Sequence, residues 1–527
     1  MTQPSSVTFA GSRWLFLRLL GVVYFIAFVS LAVQITGLVG EHGLLPVGEF
    51  LGDVRQRYGA SAYYNWPTVV WLSPSDAWLT SLCWIGAATS LLLIAGIVPV
   101  ATAALLWLMY LSLTVAGQLF LEFQWDSLLL ETGVLAILYA PLVWRDRLGD
   151  SVEPPLIVRW TIWLLAFKLT FLSGVTKVLS GDPTWANWTA LSYHYETQPI
   201  PAWTSWYMYQ LPASVHYWST AGSLFIELAV PWLIFLPSRF ARTRLVACVL
   251  MILLQVGIGA TGNYGFFNLL TIVLYLALLD DRTLGRLLPT RLRNEQLLAR
   301  RADVAIWRVG VSAVAVGIAL FSVMTVFREM DRTRRVRGPF DRGVPQAVFA
   351  WIAPFNSVNG YGLFRVMTTQ RPEIVIEVSS DGAVWKEQEF KWKAGHIMRR
   401  PRFVEPHMPR LDWQMWFAAL DPLSAQDWLL PLAARLTAGE PAVTRLLGPN
   451  PLEGRPRYVR LAYYQYHFTT SAERAQTGAW WKREFLAYLT QPIQRQANAT
   501  TDRRGAANEL SCASGDPCAL PTSRGTR

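Results

Sequence analysis

The sequence is poor in cysteine and histidine: its 527 residues include four cysteines, six scattered histidines and no C-x-x-C pair. Zinc sites need these ligands at close, regular spacing, so we expect no metal site. No phosphate-binding loop or dinucleotide fingerprint occurs, and we expect no cofactor. Cys83 and Cys248 lie in apolar helical segments, where packing explains them. Cys512 and Cys518 lie in a polar tail, where an oxidising compartment would allow a small disulfide.

Charge is also scarce. Charged residues make up 16% of the chain and apolar residues 52%, and there are 25 tryptophans. This composition, with its apolar excess in residues 1–330, is typical of a membrane protein. The net charge is +11, but the basic residues are mostly arginines that flank apolar segments. We therefore interpret the positive charge as a topology signal and expect membrane lipid, and no nucleic acid, as a partner.

The apolar runs predict a polytopic α-helical membrane domain with about nine transmembrane helices in residues 1–330. The predicted spans are 13–38, 76–98, 101–121, 125–144, 159–177, 213–236, 245–260, 264–280 and 304–327. Arginines cluster before the first span and after the fourth, sixth and eighth, which places the N-terminus in the cytoplasm. The loop 180–212 and everything after residue 330 then lie on the other side. Five arginines between positions 328 and 337 run against this rule, which long translocated domains tolerate.

Residues 340–495 have the composition of a folded aqueous domain. Alternating apolar residues predict strands at 362–368, 373–379, 384–392, 457–469 and 480–485, and helices are predicted at 409–420 and 426–436. We therefore expect a C-terminal antiparallel β-rich α+β soluble domain, exposed on the non-cytoplasmic side. Residues 496–527 have no apolar period to bury and are predicted to be a disordered tail.

The fifth predicted helix carries two lysines, Lys168 and Lys177, inside an apolar run. An ammonium group in such a run costs several kcal/mol unless it finds a partner or reaches the membrane surface. Thr170, Ser173 and Gly174 share a face with Lys177, and this small, polar face suits a neighbouring helix or a wet cavity. Lys168 points elsewhere.

Three acidic residues complete the set of candidate intramembrane polar groups. Glu227 lies inside the sixth predicted helix, and Glu122 and Asp126 lie one turn apart just before the fourth. We interpret Glu122 and Asp126 as solvated residues at the membrane boundary. Either one is also a possible ion-pair partner for Lys177.

Several long strings resemble the lipase maturation factor family of multi-pass membrane proteins. They are Phe123–Thr132, Trp185–Pro199, Phe355–Phe364 and the run Arg399–Phe417. The resemblance implies a chaperone-like, non-enzymatic factor that helps secreted lipases to fold. It also implies residence in the endoplasmic reticulum membrane with a lumenal C-terminal domain, or in the inner membrane of a bacterium with that domain in the periplasm. No nucleophile elbow is present, so we expect no lipase activity of the chain's own.

A shorter string, Ser173–Lys177 followed by Asp182 and Trp185, is similar to part of the vitamin K-dependent carboxylases. In that family the matching lysine acts as a base on the quinol cofactor, so this resemblance implies a membrane enzyme that uses Lys177. Desolvation would make such a lysine a usable base. The alternative is an ion-paired or snorkelling Lys177 with no catalytic role.

The maturation-factor reading makes the C-terminal domain the candidate client-binding region. The candidate residues are Trp413, Trp416, Phe417, Arg399, Arg400 and His407. An exposed aromatic patch would suit the capture of incompletely folded apolar surface, but the aromatic trio is expected to be mostly buried. The arginines around His407 are expected to form salt bridges within the domain, and an acidic partner is the alternative.

Overall fold

The computed structural model describes residues 8–148, 152–237, 240–287 and 304–494. Its first part is a bundle of helices, which we label in chain order. The main helices are α1 (Ala10–Ala32), α2 (Asp76–Ala95), α3 (Pro99–Gly117), α4 (Gln124–Tyr139), α5 (Leu156–Leu179), α6 (Ala213–Leu228), α7 (Ala241–Thr261), α8 (Phe267–Leu276) and α9 (Ala305–Thr333). Short helices in the connections are Ile35–Val39, Val47–Tyr58, Ala62–Asn65, Pro183–Ala186, Ala190–Thr197, Trp203–Tyr209 and Asp281–Leu287.

The tight hairpin between α2 and α3 follows from its local sequence. Ser75 caps α2 by accepting the backbone N–H of Trp78. Gly96, with φ 74°, ends α2 in the left-handed region, which glycine adopts without steric cost. Pro99 then opens α3, where its missing N–H and fixed φ are tolerated.

Seven helices in the described part of the chain are long and apolar enough to cross a membrane: α1, α2, α3, α5, α6 with its 3₁₀ extension, α7 and α9. The other two predicted spans are shorter. The span at 125–144 ends as a helix at Tyr139, because Pro141 forces the preceding residue, Ala140, into extended backbone. The span at 264–280 contains only the ten-residue helix α8. The predicted count of nine spans is therefore not confirmed.

One end of the bundle gathers the segments that the arginine pattern assigns to the cytoplasm. Asp146 accepts a hydrogen bond from Arg18 at 3.0 Å, and residues 97 and 145 form a β-bridge. At the same end Asp281 accepts the Ser12 backbone N–H at 3.0 Å, and Arg308 donates to the Glu153 carbonyl. We call this end, formed by residues 8–14, 96–98, 140–148, 152–159, 241–244, 280–286 and 304–308, the basic face. Since α3 leaves it and the segment after α4 returns to it, the short helix α4 runs antiparallel to α3.

The C-terminal part contains one antiparallel sheet and three main helices. The strands are β1 (Arg371–Ser379), β2 (Lys386–Gln388), β3 (Tyr458–Phe468), β4 (Trp481–Tyr488) and β5 (Ile493–Gln494), in the order β2-β1-β3-β4 with β5 also on β3. The helices are α10 (Gly343–Ile352), α11 (Arg410–Leu420) and α12 (Gln426–Ala438), with short helices Pro441–Thr444 and Ser471–Thr477. The register pairs Ile374 with Tyr463 and Ile376 with Leu461. The predicted fold class, a helical membrane half followed by an antiparallel β-containing module, is confirmed.

Two predicted strands differ from the structure. Residues 362–368 form no strand, and 384–392 contribute only the three residues of β2. The first difference has a clear cause, since side chains of the helical half accept the backbone donors that a sheet would use. Gln124 accepts from the Gly362 N–H, and Asp182 accepts from the Met367 N–H.

Residues 356–494, which we call the C-terminal module, pack on the end of the bundle opposite the basic face. Ser30 near the end of α1 contacts His407 at 2.9 Å, and Asn263 between α7 and α8 accepts the Val404 N–H at 2.7 Å. One hydrophobic core runs through both halves, joining Trp125 of α4 to Trp413 of α11. The helices therefore form a platform on which the module is docked.

Candidate functional site: buried ion pairs between the helices and the C-terminal module

Lys168 is fully buried and forms an ion pair with Glu131 of α4, which is also fully buried. The other Glu131 carboxylate oxygen accepts the Asn359 N–H at 2.9 Å and the Tyr361 hydroxyl at 2.8 Å. Both of these donors belong to the segment that leads into the C-terminal module. The cost of burying the lysine is offset by a carboxylate that bonds on both sides, and the same carboxylate holds the module's first residues.

Lys177 donates to both carboxylate oxygens of Glu227 in α6, at 2.6 and 2.7 Å. Its ammonium also lies 4.7 Å from the ring centre of Trp185, which adds a cation–π contact. Gly174 lets α6 approach closely, because a Cβ there would meet the Glu227 Cβ at 2.8 Å. The pairing of Lys177 with Glu122 or Asp126 was therefore the wrong alternative. The predicted small, polar face does meet a neighbouring helix.

Asp126 is completely buried rather than solvated, so that interpretation of Asp126 was wrong. It forms a bidentate ion pair with Arg410 of α11, at 2.9 and 2.8 Å, and accepts the Tyr110 hydroxyl at 2.5 Å. Glu122 is exposed, in agreement with its interpretation as a boundary residue. One of the two acids therefore joins the helices to the module, and the other faces outward.

A third buried cluster lies where β1 meets the loop that follows α5. Glu373 pairs with Arg371 at 2.8 Å and with Lys393 at 2.6 Å, and all three side chains are almost fully buried. Arg371 also donates to the backbone carbonyls of Glu196 and Gln198 at 2.7 and 2.5 Å. The guanidinium thus binds the backbone at 196–199, where the helix Ala190–Thr197 ends, and this segment belongs to one of the long strings singled out in the sequence.

The residues before α11 add two titratable groups at the same junction. Glu405 accepts the Tyr264 N–H at 2.5 Å, and burial raises the pKa of Glu405 to about 7. His407 contacts Ser30, and burial, with the nearby Arg410 and Lys391 charges, lowers the pKa of His407 to about 4. His407 is neutral at pH 7, is only partly exposed and contacts α1 through Ser30.

Comparison with known proteins matches both halves of this arrangement. The family model described as lipase maturation factor transmembrane domain matches residues 11–286, and the one described as lipase maturation factor C-terminal domain matches residues 357–491. The chain is 36% identical to lipase maturation factor 2 of Gallus gallus over 90% of the chain and 80% of the relative. It is 35% identical to lipase maturation factor 1 of Bos taurus over 92% of the chain and 90% of the relative.

The chain belongs to the lipase maturation factor family. It is also 33% identical to lipase maturation factor 1 of Mus musculus over 92% of the chain and 88% of the relative. No solved structure matches the chain. Together with seven helices of spanning length and composition, membership of the family makes this chain an integral membrane protein.

The strings that resemble the lipase maturation factor family lie mainly along the junction just described. Asp126 and Glu131 come from the first string, the backbone bound by Arg371 from the second, Tyr361 from the third and Arg410 from the fourth. Sequence reasoning missed Glu131, Arg371 and Glu373 as ion-pair members. The signal was present for Glu131, an acidic residue in an apolar helix inside one of these strings.

The aromatic trio of this lipase maturation factor family member is divided between core and surface. Trp413 and Trp416 are buried and donate their indole N–H groups to the carbonyls of Asn263 and Thr197, at 3.2 and 2.9 Å. Phe417 remains 44% exposed. The expectation that the trio is mostly buried therefore holds for the tryptophans, which pack against the helical half.

The candidate arginines differ in the same way. Arg399 pairs with Glu389 at 2.7 Å, as expected for a salt bridge within the module. Arg400 is exposed and stacks 4.6 Å over Trp203 and 5.8 Å over Trp480, and it has no carboxylate partner among the described residues. Of the six candidates for client contact, only Phe417 and Arg400 are exposed.

The ionic groups of the site are engaged with one another. The Lys177 ammonium donates to both carboxylate oxygens of Glu227 and lies against the Trp185 indole ring. No cluster of three metal-ligating residues occurs among the residues that the structure describes. Cys83 and Cys248 are free and buried, whereas Cys512 and Cys518 lie outside the described residues.

Proposed function

We propose that this chain is a maturation factor for lipases, which acts on them from the membrane and without catalysis of its own. The observation that carries the proposal is the match to lipase maturation factors 1 and 2 over about nine-tenths of the chain, covering both the helices and the module. The buried ion pairs support a rigid module held at a fixed height above the membrane.

The proposal includes an orientation. The basic face lies in the cytoplasm, as the distribution of arginines favours, and the module lies on the side where exported proteins fold. That side is the lumen of the endoplasmic reticulum, or the periplasm in a bacterium. A reporter fused after residue 494 that is active only outside the cytoplasm is the expected result. Activity in the cytoplasm alone would refute the orientation.

The proposal also assigns a chaperone-like contact to the exposed candidates. Phe417 supplies an apolar surface for unfolded client segments, and Arg400 supplies an unpaired positive charge beside two indole rings. The names of this chain's relatives make secreted lipases the proposed clients.

The test is the yield of active secreted lipase in cells that lack the endogenous factor and carry a variant of this chain. Lys177→Met with Glu227→Gln removes the ammonium without leaving a buried charge, so the yield should stay close to that of the unaltered chain. Phe417→Ser with Arg400→Gln should lower the yield at an unchanged level of the factor. A loss with the first pair and no effect of the second would replace the proposal with an enzyme that needs Lys177.

A further inference from the structure

A short apolar helix, α10, lies beside the end of α9, the last long helix of the bundle. After α9 ends at Thr333, the chain turns and Gly343, with φ 60°, opens α10. Two ring contacts show its direction: Phe340, just before α10, lies 6.2 Å from Phe327, and Phe349 within α10 lies edge-to-face against Phe321 at 5.2 Å. Later residues of the segment 340–349 therefore contact earlier residues of α9, so α9 and α10 are antiparallel.

This direction takes α10 back into the depth spanned by α9. Phe321 lies six residues before Phe327, which corresponds to about 9 Å along a helix axis. Arg328 marks the upper end of the contact, where it pairs with Asp341 at 3.0 Å, and its long side chain also brings the guanidinium to 4.0 Å from the Phe349 ring centre. The helix α10 therefore descends beside the membrane-spanning part of α9.

The outer face of α10 is apolar and uncovered by the described residues. Val344 is 76% exposed and Trp351 is 64% exposed, and the polar residue of the helix is Gln346 alone. This face continues the exposed apolar surface of α9, where Phe327 is 50% exposed. A surface of this kind is stable in hydrocarbon, whereas in water its exposure is unfavourable.

Four arginines surround the entry to this helix: Arg334, Arg335, Arg337 and Arg342. All four are exposed, and none has an ion-pair partner among the described residues, whereas the neighbouring Arg328 and Arg332 are paired with acids. Arg334, Arg335 and Arg337 belong to the five arginines that run against the charge rule for membrane orientation. Guanidinium groups bind phosphate in a bidentate manner, so lipid phosphates at this level would satisfy all four.

Aromatic side chains fix the far end of the helix. The Tyr64 hydroxyl donates to the Trp351 carbonyl at 2.6 Å, and the Tyr64 ring contacts Phe355 at 5.6 Å. Tyr63 and Tyr64 are themselves 47% and 39% exposed. The Tyr64 contacts hold the far end of α10 against the connection between α1 and α2.

We propose that α10 re-enters the leaflet in which α9 ends, and that the four arginines bind the phosphate groups of anionic phospholipids there. Phospholipid fits this surface because the apolar face of α10 lies next to the four unpaired arginines. The apolar face matches the acyl chains and the arginines match the phosphate groups. The site holds the junction between the last helix and the C-terminal module at a set depth.

The test uses the full chain in phosphatidylcholine nanodiscs, with Cys512→Ser and Cys518→Ser and a fluorescent label on Ala347→Cys. The matched control carries the label on Ala475→Cys, in the exposed aqueous helix Ser471–Thr477. Nitroxide lipids should quench the label at position 347 severalfold more than the label at position 475. Equal quenching at the two positions would overturn the re-entry of α10. The same result is expected if a protein partner, instead of lipid, covers the helix.

A second comparison tests the headgroup. At equal amounts of spin-labelled lipid, nitroxide phosphatidylglycerol should quench the position 347 label more than nitroxide phosphatidylcholine. Each arginine near the surface should favour binding of the anionic lipid by up to about fivefold at low salt, and added salt should reduce this preference. The four arginine-to-glutamine changes together should remove the preference. Arg402, Arg445, Arg455 and Arg457, which are exposed in the module, provide the matched set of glutamine changes and should leave it intact. A preference that survives the first set, or is absent from the unaltered chain, would overturn the assignment of the arginines.

Discussion

Replacement of Arg410 by methionine should be among the most destabilising single changes at the junction between helices and module. Methionine removes the guanidinium from Asp126, which is completely buried and would keep the Tyr110 hydroxyl and lose both bidentate bonds. Breaking one side of a buried ion pair costs about 3–5 kcal/mol, because the remaining charge has no compensation. Replacing both partners with apolar residues of similar size is often nearly neutral. The double variant Arg410→Met with Asp126→Leu should therefore recover most of the loss.

The assay is urea-induced unfolding in a mild detergent, followed by tryptophan fluorescence, with free energies extrapolated to zero urea. The control is Arg483→Met, which breaks a partly exposed pair with Glu387 on the sheet and should cost no more than about 1 kcal/mol. The reasoning is refuted if Arg410→Met costs no more than the control. It is also refuted if the double variant is as unstable as the sum of its single changes.

Three further predictions use the same measurements. Lys177→Met alone should cost about 3–5 kcal/mol of stability because it leaves its glutamate partner buried and uncompensated, and adding the glutamate-to-glutamine change should restore most of it; no recovery would contradict the pairing. The pKa of Glu405 is raised to about 7, so its contribution to folding stability is full below pH 4.5 and is lost as pH rises through 7. The pKa of His407 is lowered to about 4, so its contribution to folding stability is full above pH 6.5 and is lost as pH falls through 4. The urea midpoint of His407→Gln should then decrease with rising pH between 4.5 and 7, and that of Glu405→Gln should decrease with falling pH between 6.5 and 4; parallel profiles would contradict the two burials. Trp413→Ala should cost about 3–5 kcal/mol, whereas Phe417→Ala, at a half-exposed position, should cost much less and lower the lipase yield; equal stability losses would contradict the division of the aromatic trio.

The sequence was sufficient for the order of the elements where a single segment carries its own signal. Strand β1 was predicted at 373–379 and is observed at Arg371–Ser379, because its alternation of apolar residues is local. The two lysines were predicted to need partners, since an isolated ammonium in an apolar helix is costly. Sequence could not identify those partners. Glu227 lies 50 residues from Lys177, and only the close approach of α6 at Gly174 brings the two together.

The failures have a common physical cause, which is contact between distant parts of the chain. Residues 362–368 alternate like a strand, but the side chains of Gln124 and Asp182 take their backbone donors. Asp126 was interpreted as solvated because its position beside an aromatic segment is typical of a membrane boundary. Its burial depends on Arg410, 284 residues further along the chain, which no local pattern reveals.

The long sequence separation of these pairs has a consequence for biogenesis. Glu131 and Asp126 enter the membrane early in synthesis, but Tyr361 and Arg410 emerge 230 and 284 residues later. Until translation reaches those positions, the buried carboxylates in the helices of the nascent chain lack some of their hydrogen-bond and ion-pair partners. A chain cut short before the module would retain them indefinitely, and membrane quality control should degrade it faster than the full-length product.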